Sequence, residues 1–261
     1  MLIQSDAELR QYIPNTLVTI QGETSLYDKL QSHLRLSELW LMQLLGTLPD
    51  TEPDLVRQLV ATDAFLRVIP SLDLVLTPNG FGIVSNTNIV PASKDRVDRL
   101  LSSLEHNRDY TLDQLLRLLL QNAEWRTTPA ADYFLQTLFQ TPFALPADLR
   151  PAHALEVFQQ THPQLVLIEA ELADQYISAP VFDRLRKDIH NPAYATLIAS
   201  LQAIEIQLLS GKPLPHRQLL NWVEYIRIRE DLFPEWHTSA TAKLYQSHYF
   251  QNRKDSAGYW W

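Results

Sequence analysis

Three groups of residues in this chain of 261 carry side chains suited to acid–base or ligand chemistry. Glu169, Glu171 and Asp174 form one acidic cluster, and Glu230, Asp231 and Glu235 form a second. Paired carboxylates divide acid and base roles when their surroundings pull their pKa values apart. Neither cluster has the Glu-x-x-His spacing of a carboxylate-bridged metal pair, so both read as solvent-facing acids. The eight histidines show no His-x-x-x-His or His-Glu-x-x-His spacing. His237 and His248 share a face of an unbroken helix but stand about 16 Å apart along it, too far for one ion. His153 and His162 lie nine residues apart with no supporting ligand pattern. Lys94, Arg96 and Arg99 open a helix, where phosphate is held well, but Asp95 and Asp98 are interleaved and make a solvated face. No metal and no cofactor are expected.

The nucleophilic and nucleotide motifs are missing. The chain has no cysteine, no Gly-x-Ser-x-Gly, no Gly-x-x-x-x-Gly-Lys and no Gly-x-Gly-x-x-Gly. It contains six glycines, where average usage gives roughly eighteen. That scarcity argues against a Rossmann domain or a many-stranded sandwich. The expectation is a non-enzymatic protein. A rival enzymatic reading draws on Glu169, Glu171 or His190 in a site between the two halves of the chain.

The elements are mostly helical. Leu26, Leu30, Leu34, Leu41 and Leu45 recur at spacings of four and seven, predicting a helix over 23–45 closed by Gly46. A second apolar helix ends before Pro70. Ser93 caps a long helix over 94–123, dented near His106 to Asp109. Thr127-Thr128-Pro129-Ala130 reads as a linker. Helices follow at 130–139, 153–160, 165–176, 182–189, 193–209, 219–232 and 238–249, punctuated by prolines and Gly211. Between the second and third long helices, Leu72 to Thr77 is rich in strand formers, and Pro78-Asn79-Gly80 supplies turn chemistry. A single β-hairpin is expected over 72–85. The architecture is therefore a mostly α helical bundle with one small hairpin. It forms two helical subdomains, 1–126 with the hairpin and 131–261 with an aromatic tail.

Two features project from that frame. The hairpin tip, Asn79, Gly80, Phe81 and Gly82, offers strand edges to a neighbour. The tail ends in Tyr259, Trp260 and Trp261, rings that bury much area at little entropic cost. Both are candidate protein-contact sites. The formal net charge of −8, with 22 basic and 30 acidic residues, argues against nucleic acid as the main ligand. The N-terminus lacks the apolar core of a signal peptide, and no run of about 20 apolar residues occurs. No membrane association is expected.

The run from Ala64 through Pro70 and Leu76, then Thr77-Pro78-Asn79-Gly80-Phe81-Gly82-Ile83-Val84, and then Pro91-Ala92-Ser93-Lys94 carries a resemblance. It resembles an uncharacterised family of Bacteroidetes phage and prophage proteins, over about residues 20–120. The resemblance implies a virion structural or head–tail connector component, working in the host cytoplasm and in the virion. The implied partners are other copies of the chain or other virion components. It supplies no catalytic motif and no functional residues. An adaptor or regulatory module that binds a cellular protein is the alternative.

Overall fold

The computed structural model describes residues 1–13, 25–49, 52–71, 74–77, 80–83, 93–150 and 153–246. The chain divides into two compact units, Met1–Thr161 and His162–Trp261. Among the described residues it is mostly helical.

The first unit is built on three long helices after a short leading one, α1 (Asp6–Tyr12). They are α2 (Leu26–Leu45), α3 (Pro53–Val68) and α4 (Lys94–Leu119). The side chain of Ser25 caps α2 by accepting from the Asp28 amide. Gly46 ends it at φ +79°, a conformation that glycine adopts without strain. The leucine stripe of α2 is fully buried at Leu30, Leu34, Leu41 and Leu45, each contributing about 2 kcal/mol by the apolar area it removes from water. Helix α3 packs on both α2 and α4, and its residues from Leu59 to Leu66 are buried without a break. It is the central helix of this unit.

Helix α4 is uninterrupted through 106–109, where a dent is expected from sequence. The acid there is accommodated by partners and does not interrupt the helix. Between α3 and α4, the strands β1 (Leu74–Thr77) and β2 (Gly80–Ile83) pair antiparallel, with Thr77 opposite Gly80 and Leu76 opposite Phe81.

The Thr127–Ala130 stretch, read from sequence as a linker, lies inside the first unit. Trp125 explains why: its indole N–H donates to the Leu45 carbonyl at 3.0 Å. Thr128 then caps α5 (Pro129–Leu135), accepting from the Ala131 amide. The rings of Trp125, Phe134 and Phe158 stand in series, 6.0 and 6.2 Å between centroids.

The division between units falls within α6 (Ala154–Leu172), a helix that the sequence reading splits in two around Pro163. Proline removes one backbone donor and normally kinks or breaks a helix. Here Phe158, Leu165 and Leu172 are buried on either side of it, and their packing outweighs the lost bond. A five-residue π turn, Ala173–Ile177, follows, and Ser178 at φ +75° starts α7 (Ala179–Lys187). The second unit continues with α8 (Ala195–Leu209), α9 (His216–Ile228) and α10 (Ala240–Leu244). Phe182, Leu201, Ile204, Ile226, Phe233 and Trp236 are its buried centre.

Candidate interaction face and buried charge clusters

Of the residues singled out at the hairpin, Gly80, Phe81 and Gly82 belong to β2. Asn79 and the tail residues Tyr259, Trp260 and Trp261 lie outside the described residues.

The structure gathers other acids, with one exception: Glu169, expected to face solvent, is fully buried. In the first unit, Asp63 of α3 is buried and accepts from the Ser37 hydroxyl and from Arg67 Nε, each at 2.6 Å. Arg108 of α4 approaches the same carboxylate at 3.6 Å and donates twice to Asp109, at 2.9 and 2.8 Å. Asp109 is fully buried, and its other oxygen accepts from the Leu155 amide at the start of α6, at 3.0 Å. One turn on, Asp113 accepts from Arg117 and from the Phe143 amide, at 2.6 and 2.9 Å. Both aspartates thus act as helix or turn caps delivered from another element.

In the second unit, Glu169 of α6 is fully buried and accepts two bonds from Arg186 of α7, at 2.9 and 2.7 Å. Glu205 of α8 is buried beside them, and no donor reaches either of its oxygens. Burial pushes the Glu205 carboxyl well above the ordinary carboxylate range, and the Glu169 charge pushes the same way against the pull of Arg186. Burial and the Glu169 charge thus both favour the protonated form of Glu205. The other members of the enzymatic reading do not join this cluster: Glu171 and His190 are exposed. Elsewhere in the unit, the Tyr176 hydroxyl meets His216 Nδ1 at 2.5 Å, and burial raises the Tyr176 pKa, helped by Glu171.

Sequence reading missed these clusters, although a signal was present. Asp109 and Asp113 fall within the leucine stripe of α4, among Leu104, Leu112 and Leu116. Glu205 is the one charged residue in the fifteen of α8. An acid inside an apolar stripe must be paired or neutral.

The outer face of α2 is the reverse case. Leu36, Leu39 and Met42 are 51, 48 and 43% exposed, on the side of the helix away from its buried leucines. Their i, i+3, i+6 spacing makes one apolar ridge. In the second unit, an open recess of about 390 Å³ is lined by Arg227, Trp236, His237 and Tyr245. Among the described residues, no three His, Asp or Glu side chains are grouped so as to hold a metal ion, and no helix is long and apolar enough to cross a membrane.

The model of a family of unknown function (DUF6712) matches residues 15–134, less than half of the chain, and that span includes the α2 ridge. No curated protein and no solved structure matches. The chain is similar over this span to a family defined without an activity.

Proposed function

We propose that this chain is an assembly subunit that works through protein contacts, of the virion-connector kind that its resemblance implies. The α2 ridge carries the reading. Scattered surface leucines are ordinary, but three large apolar side chains aligned on one helix match the way an amphipathic helix meets a partner's groove. The buried acids support it from the other side. Asp63, Asp109, Asp113 and Glu169 are all engaged in ion pairs and caps, as structural charges are. The hairpin tip, Asn79 to Gly82, and the tail residues Tyr259 to Trp261 belong to the same reading as further contact sites.

Sedimentation equilibrium tests it. The parent chain is expected to associate with rising concentration, and Leu39→Glu to shift that association at least tenfold toward monomer with unchanged melting temperature. Phe81→Ser and removal of residues 259–261 probe the other two sites. If the parent is monomeric at the highest soluble concentration, or if all three variants associate as the parent does, self-assembly is rejected.

A further inference from the structure

In the first unit a cavity of about 100 Å³ opens between α4 and the segment that leads into α6, and Arg150 lines it. The Arg150 side chain is fixed in place before any ligand arrives. Its Nε donates to the Leu145 carbonyl at 2.8 Å, and its guanidinium carbon sits 4.3 Å over the Phe143 ring. That ring is braced edge-on by His106 and Tyr110, at 5.6 and 5.9 Å between centroids.

The charge of Arg150 is unspent. Arg67, Arg108 and Arg117 in the same unit each hold an aspartate, whereas no carboxylate pairs with Arg150 among the described residues. The acids at the cavity are already engaged. Asp109 is filled by Arg108 and the Leu155 amide, and Glu105 pairs with His153 Nδ1 at 2.9 Å. His153 itself stands at φ +56°, a left-handed conformation uncommon outside glycine. The Leu155 amide at the start of α6 is already taken by Asp109. The remaining polar lining is the Arg150 guanidinium beyond its Nε, with Ser102 and His106 of α4, the His106 ring resting edge-on against Phe143.

We propose that this cavity binds a small tetrahedral oxyanion of the phosphate class, with Arg150 as its principal contact. A guanidinium offers two parallel N–H donors to two oxygens of such a group. Donors carried by α4 and by the segment before α6 suit a group whose oxygens point in several directions. The site is separate from the α2 ridge and does not depend on assembly.

Calorimetric titration of the full chain with inorganic phosphate, in a buffer free of oxyanions, tests the proposal. Saturable one-to-one binding is expected, with a dissociation constant on the order of 1 mM. Arg150→Ala is expected to weaken it at least tenfold, and Arg150→Lys less, because the fork is lost while the charge is kept. His106→Ala removes an exposed side chain that also braces the Phe143 ring, and a weakening of about threefold is expected. Circular dichroism checks that each variant is folded. Phenyl phosphate is the second arm. Binding of both ligands assigns a phosphate monoester, and binding of inorganic phosphate alone assigns the free ion; either result supports the site. No saturable binding below about 20 mM, equal binding by folded Arg150→Ala, or acetate binding as tightly as phosphate overturns it.

Discussion

Glu205 and Glu169 are neighbouring buried acids, one pushed toward its protonated form by burial and the other paired with Arg186, and substitution separates them. Between the ordinary value of 4.5 and its raised folded value, native Glu205 keeps a proton that the unfolded chain has released. Stability therefore falls as pH rises through that window. Glu205→Gln preserves shape and neutrality, so it is expected to change stability by less than about 1 kcal/mol at neutral pH and to flatten the alkaline loss. Glu169→Gln removes the carboxylate from Arg186 and leaves a guanidinium poorly matched, at a cost of about 3 kcal/mol. Urea denaturation of both variants across pH 5 to 9 reads the difference. A parent curve whose stability rises over that range would contradict the assignment of the proton to Glu205. The acids were legible in the sequence as residues, but their pairing was not. Arg186 lies seventeen positions from Glu169, and only the packing of α6, α7 and α8 brings the three groups together.

Helix ends were the most readable elements. Ser5 caps α1 as its chemistry suggests, Ser25 caps α2 inside the span expected at 23–45, and Gly46 closes that helix where expected, because capping depends on residues three or four apart. Gly46→Ala tests the last. The new methyl would sit at a positive φ and 3.1 Å from the Ala130 Cβ, and a loss of about 1 kcal/mol or more is expected on thermal unfolding. The errors arose where distant packing overrides a local rule. Pro163 lies inside α6 because Phe158 and Leu165 are buried around it, and no local signal reports that burial. The apparent linker at 127–130 is likewise tied down by Trp125, whose partner Leu45 is eighty residues away. Asp113→Ala is the element-scale counterpart. It frees both Arg117 and the Phe143 amide, and about 2 kcal/mol of stability should go with them. An unchanged denaturation midpoint would mean that the 142–144 turn is held by other contacts.

For the molecule as a whole, the net charge of −8 sets copies of the chain against each other. Association through an apolar ridge must overcome that repulsion. Raising ionic strength screens the repulsion and leaves burial of Leu36, Leu39 and Met42 intact. Self-association measured by light scattering is therefore expected to strengthen with added salt. Weakening with salt would point to an interface made of ion pairs, and the ridge would lose its role. The mostly helical character was readable from leucine spacing alone, since each stripe has its period within one segment. The exposed ridge was not, because spacing alone does not say which further apolar side chains of α2 are covered. The placement of α3, with α1 and α5, decides which side of α2 is covered.

The aspartate caps of α4 also set a clock on the backbone. The amides of Phe143 and Leu155 are held by Asp113 and Asp109, thirty and forty-six residues earlier in the chain. Each can exchange its hydrogen with solvent only when α4 and the segment beyond it part. Phe143 sits in a three-residue turn, where a fast rate would be ordinary. Slow deuterium uptake there, made fast by Asp113→Ala, would time the opening of contacts that no helix of its own protects.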